Sequence, residues 1–295
     1  MSLVNKKGVD ISKWNGDVDF EMLKRNGISF VMIGMGDLFE ENVTKAEKAG
    51  MPWGGYFYTY SINAAQDKGE LETILSKLKG KKPTMPIALD VEDSDDYKKN
   101  HGAWNYDRVT QNAKYILEGL ASAGFYPMLY TGFEEIENYL PESIWKKYDM
   151  WWAQWSSKCG YPGDNLGMWQ FGGEVNYICS PYIEGEIFDQ NYCYKDYPTI
   201  IKQGGYNGWK KSDKVLDTDG YRYKDRGLGV LALKEMLIQA KKLKITTQGM
   251  DENGVFGDGT QIAVNQVLKK GGYEQNGIAG ENFVKYLAKL INAKT

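Results

Sequence analysis

A chain of 295 residues has room for one large domain and a small one, or for two of middle size. With 42% hydrophobic and 25% charged residues it has the composition of an ordinary globular protein, which excludes a disordered chain. Charge is divided unevenly: residues 1–196 carry 20 Lys+Arg against 29 Asp+Glu, and the remainder carries 16 against 10. The basic tail either meets a polyanion, such as wall teichoic acid or nucleic acid, or presents a solvated lysine-rich face. No segment approaches the length of a membrane span. The start, Met1 to Gly8, pairs Lys6 with Lys7 but has no apolar run behind it, so no signal peptide is expected. Cys159, Cys179 and Cys193 form no CxxC pair and are odd in number, which fits a reducing compartment and argues against a disulfide framework.

Along the first two-thirds, short β-type runs alternate with helix-type segments. The strand candidates are 9–12, 28–33, 54–60, 86–92, 127–131, 150–155, 167–171 and 185–189. Helical patterns lie between the early ones at 19–26, 42–49, 64–78 and 106–123, the last with Asn105 as a cap and Gly124 as a stop. This alternation predicts an α/β fold: an irregular (β/α) barrel of about eight strands, with about five βα units followed by plainer strands. An open doubly wound sheet is the alternative, but no Gly-rich phosphate loop follows the first strand. Residues 197–225, with Gly204-Gly205-Tyr206-Asn207-Gly208, read as a linker. Helical spacing returns at 229–243, 260–269 and 280–291, predicting a small three-helix domain over 226–295 and leaving 1–196 to the barrel.

The residue inventory removes several chemistries. His101 is the only histidine, so zinc sites of the HExxH kind and Ser-His-Asp arrangements lack parts, and no metal or cofactor is expected. Carboxylates remain. Asp10, Asp90, Glu92 and Asp189 fall at or near the C-terminal ends of predicted strands, which is the face where barrel active sites are built. Asp90 and Glu92 are two apart, so their side chains point the same way from backbone positions about 7 Å apart. Carboxylates crowded in a half-dry cleft cannot all ionise, so one retains a proton near neutral pH, as glycoside hydrolysis requires. The competing reading is that Asp90 and Glu92 open an acidic solvated loop continued by Asp93, Asp95 and Asp96.

Four motifs bear on that choice. Gly8-Val9-Asp10-Ile11-Ser12-Lys13-Trp14, Ala88-Leu89-Asp90-Val91-Glu92, Trp169-Gln170-Phe171 and Phe188-Asp189-Gln190-Asn191 resemble, in order and spacing, those of the lysozymes of glycoside hydrolase family 25. The resemblance covers roughly residues 5–195. It implies N-acetylmuramidase activity on bacterial peptidoglycan, cutting the β-1,4 bond after N-acetylmuramic acid with retention. It also implies Glu92 as general acid/base, Asp90 orienting the substrate's acetamido group, and Asp10 and Asp189 holding the charge pattern and sugar hydroxyls. Tyr58, Tyr60, Tyr130, Trp152 and Gln170 are the candidates to line the sugar groove. The chain departs from many relatives at Tyr56-Phe57-Tyr58, where a histidine often follows the tyrosine, and at Gly34-Met35-Gly36-Asp37, which lacks a lysine.

In the tail, Asn253-Gly254-Val255-Phe256-Gly257-Asp258-Gly259-Thr260 with Asn276-Gly277-Ile278-Ala279-Gly280 resembles the peptidoglycan-binding type 1 repeat. The expected partner is therefore bacterial peptidoglycan, not nucleic acid and not a membrane. Made without a signal peptide, such a protein would act on the wall as a phage endolysin or an autolysin. Two rival readings are a non-catalytic wall-binding barrel and a chitinase of the family 18 kind. The second usually carries a longer DxxDxDxE run than the Ile87-Ala88-Leu89 that precedes Asp90 here.

Overall fold

A computed structural model describes residues 2–173, 182–210, 216 and 219–295. The chain divides into two compact units, one holding Leu3–Ile201 and Tyr206–Trp209, the other chiefly Lys210–Thr295.

The larger unit is a closed barrel. Among the described residues its strands are β1 (Lys6–Ile11), β2 (Phe30–Gly34), β3 (Trp53–Tyr58), β4 (Ile87–Asp90), β5 (Pro127–Thr131), β6 (Asp149–Ala153), β7 (Leu166–Gly172) and β8 (Asp189–Cys193). Strands β1 to β7 pair in parallel, each with the next, and helices such as Phe39–Ala49, Ala64–Leu78 and Tyr106–Ser122 make the early crossovers. Asn63 and Asn105 cap the last two by accepting backbone N–H groups of the first turn. Gly124 supplies the positive φ on which the chain leaves the longer helix.

The closing strand is a correction to the sequence reading. The eighth strand is Asp189–Cys193, not 185–189, and it runs antiparallel to both β7 and β1. Glu186–Ile187 instead forms a two-residue hairpin with Tyr182–Ile183. The run Asp189-Gln190-Asn191 lacks apolar alternation, and its Asn191 is satisfied inside the barrel by Trp151 and Asp10.

Strand periodicity creates two apolar layers. Val9, Ile11, Val31, Ile33, Leu89, Leu129 and Trp152 point outward and meet helix residues such as Phe39, Ile74, Val109 and Ile116. Phe30, Met32, Ala88, Met128, Trp151, Met168 and Cys193 fill the interior, with Leu3, Tyr197 and Ile201 at its floor. The segment read as a linker therefore begins inside the fold: Tyr197–Gly204 is a helix, and Tyr197 and Ile201 are buried. Asn207 is also buried; its side chain accepts from Tyr126 N (2.8 Å) and donates to the carbonyls of Pro83 (3.1 Å) and Met85 (3.0 Å). Such a side chain replaces secondary-structure partners for three backbone groups, so the barrel ends near Trp209. Cys159 and Cys193 are free thiols, and Cys179 lies outside the described residues.

The smaller unit packs helices Leu228–Lys242, Asp258–Lys270 and Glu281–Asn292 around Val230, Leu237, Phe256, Val264, Phe283 and Leu287. Its buried Lys234 donates to Asp251 Oδ1 (2.5 Å), Asn253 Oδ1 (2.9 Å) and the Val255 carbonyl (3.0 Å), which ties the loop before the second helix to the first.

Candidate active site

The mouth of the barrel is an open cleft of about 670 Å³ lined by Asp10, Asp90, Glu92 and Asp189 together with Tyr56, Tyr58, Tyr60, Tyr130, Trp151 and Gln170. Position along each strand explains the set. Asp10 lies near the end of β1 and Asp90 ends β4, with Glu92 two residues on and keeping the same inward parity. Asp189 reaches the same face differently. Because β8 is antiparallel, its first residue sits opposite Asp10 in register, so a strand's beginning meets the other strands' ends.

Asp10 is held by a continuous set of donors. Asn191 Nδ2 donates to its Oδ2 at 2.7 Å, and Gln170 Nε2 donates to both oxygens at 3.2 and 3.1 Å. Each amide is oriented in turn. Trp151 Nε1 donates to Asn191 Oδ1 (2.7 Å), while Tyr130 Oη and Trp155 Nε1 donate to Gln170 Oε1 (2.9 Å each). Indole nitrogens only donate, so the amide oxygens must face them and the NH₂ groups must face Asp10. Burial nevertheless dominates and pushes the Asp10 carboxyl up to about 6, against the pull of Asn191 and Gln170.

Asp90 is raised well above the usual carboxylate range, by burial first and then by the charge of Glu92. Its Oδ1 is buried and has no hydrogen-bond partner among the described residues, in a residue that lines the cleft. Glu92 is pushed up to about 7 by burial and by Glu135, with Lys98 acting in the opposite direction. It can therefore hold a proton near neutral pH and release it, the property required of a general acid that later acts as a base. Tyr56 and Tyr130 are held in the phenol form by burial and by these carboxylates, so both remain donors.

The structure brings together Asp10, Asp90, Glu92, Asp189, Tyr58, Tyr60, Tyr130 and Gln170. It does not place Trp152 there. That ring faces outward from β6, buried against Tyr161 and Phe133, while its neighbour Trp151 faces the cleft. Strand alternation separates the two, and choosing the register from the inward residues of β7 would have selected Trp151. The sequence reading also passed over Asn191, which shares the parity of Asp189, and Trp14, an 86% exposed indole at the cleft rim. Trp14 rides on a short 3₁₀ turn in which Ser12 and Asn15 cap each other reciprocally. Lys98 and Glu135 were missed as well, and no local signal marks them.

A closed barrel with carboxylates gathered at its mouth is the architecture of a glycoside hydrolase. The model of the glycosyl hydrolases of family 25 matches residues 9–178, more than half of the chain, and the chain belongs to that family. Among solved structures, it is similar to a family 25 glycosyl hydrolase from Bacillus anthracis (20% identity, TM-score 0.55), covering 71% of this chain and 95% of that one. It is also similar to the CTP1L endolysin, at 18% identity and a TM-score of 0.54 over 98% of this chain and 99% of that one. The modular autolysin LytC from Streptococcus pneumoniae matches at 19% identity and a TM-score of 0.53, over 63% of this chain and 46% of that chain. No curated protein matches it.

The raised proton affinity of Glu92 has a consequence for folding. Below about pH 4.5 Glu92 is protonated in folded and unfolded chain alike; as pH rises through about 7 the fold must accommodate a buried charge. Stability is therefore lost across that window. Glu92→Gln removes the step, so the variant should exceed wild type by roughly 3 kcal/mol at pH 8 and match it near pH 4 in urea unfolding. A variant no more stable at pH 8 would show that Glu92 is not held against burial.

Proposed function

We propose that the protein is an N-acetylmuramidase that hydrolyses the β-1,4 bond between N-acetylmuramic acid and N-acetylglucosamine in bacterial peptidoglycan, with retention of configuration. The observation that carries this reading is Glu92, a carboxylic acid poised near neutral pH beside the unpartnered Oδ1 of Asp90 in an open cleft. Glu92 donates its proton to the glycosidic oxygen as the bond to the anomeric carbon breaks. The substrate's own acetamido oxygen attacks that carbon, and the Asp90 Oδ1 accepts the acetamido N–H, aligning the internal nucleophile. An N–H presented to Asp90 favours its ionised form and leaves the shared proton on Glu92. Water, deprotonated by Glu92, then opens the cyclic intermediate from the face the leaving group vacated, so configuration is retained. Asp10 and Asp189 set the potential of the cleft and meet sugar hydroxyls, and Tyr58, Tyr60, Tyr130 and Gln170 shape the groove.

The likeness to an endolysin extends over both units, and the autolysin LytC has been solved in complex with a synthetic peptidoglycan ligand. On this reading the protein works on the cell wall, and the unit over 226–295 is its wall-binding element. The basic surplus of that region and its Asn253–Thr260 motif support this assignment.

Glu92→Gln should lower turnover of peptidoglycan by a factor on the order of 10³ while wall binding is unchanged, because it deletes the proton donor and keeps the shape. Dye release from labelled walls and a wall pull-down measure the two properties, and turnover near that of wild type would refute the role of Glu92. A chain shortened to end at Lys210 keeps the Asn207 anchor and every cleft residue. It should cleave soluble glycan fragments at the full-length rate and lose affinity for whole walls, since tethering raises local substrate concentration without changing the chemistry. Equal retention of both chains on purified walls would remove the wall-binding role from the tail.

A further inference from the structure

One lysine neither faces solvent nor lines the cleft, yet is bonded to the backbone of a cleft residue, Glu92. Lys98 is 2% exposed, on the short helix Tyr97–Asn100. Asp93 fixes the start of that helix: its Oδ1 accepts Lys98 N (2.9 Å) and its Oδ2 accepts Lys99 N (2.8 Å). The Lys98 Nζ donates to the carbonyls of Thr59 (2.7 Å) and Glu92 (2.5 Å), so it joins the chain just past β3 to the chain just past β4. It also lies 5.1 Å from the ring centre of Tyr58 and 4.8 Å from that of Trp104. Two aromatic faces and two carbonyls solvate the ammonium where water cannot.

We propose that Lys98 is a positioning residue for the hydrolysis, an internal counter-charge that locks the Glu92 backbone and balances the carboxylates of the barrel mouth. The proposal rests on the hydrolase reading above.

Burial of an ammonium is costly, and desolvation lowers the proton affinity of Lys98. The groups that offset it come from three elements: Asp93, Asp90 and Glu92 from β4 and its loop, and Glu70 from the helix Ala64–Leu78. Conversely, Lys98 draws down the proton affinity of Asp90, Glu92, Glu70 and Glu135, the last on the helix Phe133–Asn138. Glu92 faces Glu135, Asp10 and Asp95, which all act against it, with Lys98 on the other side. Without that ammonium, burial and mutual repulsion would hold both Asp90 and Glu92 protonated to higher pH. Asp90 would then be a poor acceptor for the acetamido N–H, and Glu92 a poor source of the returning base. If only its bonds to the two carbonyls mattered, removing its charge would loosen the backbone without moving these protonation states.

The test compares full-length Lys98→Met and Lys98→Arg with wild type, recording kcat/KM on soluble peptidoglycan fragments against pH. Lys98→Met removes the charge and keeps the stem, so both limbs of the profile should move to higher pH by about one unit. Lys98→Arg retains the charge and should keep both limbs in place, whatever its rate. A folded Lys98→Met with unmoved limbs, or equal displacement in the two variants, would overturn the proposal. If Lys98→Met alone does not fold, the charge-balanced pair Lys98→Met/Glu70→Gln replaces it. Lys98 acts on Glu92 more strongly than Glu70 does, so the same upward movement is expected, and unmoved limbs again overturn the proposal. Wild type in the same assay separates the two readings: if it cleaves nothing, the hydrolase assignment fails rather than the role of Lys98.

Discussion

Several carboxylates are buried together at one barrel mouth, and much of the surrounding structure is what makes that arrangement tolerable. Asp10, Asp90 and Glu92 are each shifted upward mainly by burial. Ionising all of them together in such surroundings is prohibitively costly, so protons must be shared. The fold answers in three ways. Amide donors from Gln170 and Asn191 converge on Asp10, a buried ammonium is bound to the Glu92 carbonyl, and one acceptor, the Asp90 Oδ1, has no partner among the described residues. The first two reduce the cost of negative charge, and the third leaves an unmet hydrogen bond that a substrate amide can complete.

Topology determines which residues can take part. Seven parallel strands bring their C-terminal ends to one face, and a closing strand of opposite sense adds its N-terminal residues there. That reversal sets Asp189 opposite Asp10 and places Asn191 two residues deeper, within reach of both Asp10 and Trp151. A parallel eighth strand with the same sequence would carry Asp189 and Asn191 to the other end of the barrel. The Trp and Tyr donors then do more than pack: by occupying the amide oxygens they leave Gln170 and Asn191 no choice but to present nitrogen to Asp10.

Much of this was legible from residue order. The first seven strands and the long helices follow from alternation and from caps such as Asn105, and the carboxylates stood out because they cluster at strand ends. What escaped has a common physical cause: pairing between distant segments. The closing strand is polar and one of its two partners, β1, lies at the far end of the sequence, so that contacts such as Asn191 with Asp10 join residues 181 positions apart. Trp151 and Trp152 are identical side chains on adjacent positions, so one residue of register decides which faces the cleft. Lys98 sits in the run Asp93-Ser94-Asp95-Asp96-Tyr97-Lys98-Lys99, which reads as a solvated surface until the chain past β3 folds over it. The segment after residue 196 looked like a linker because its glycines are conspicuous, whereas the helical spacing of the buried Tyr197 and Ile201 lasts a single turn and the buried Asn207 is polar.

On the proposed function, this cluster cleaves a muramyl bond. Purified peptidoglycan digested by the full-length protein and reduced with borohydride reports the new end directly. The account predicts muramitol as the reduced product. Glucosaminitol, or free amino groups without any new reducing end, would contradict it.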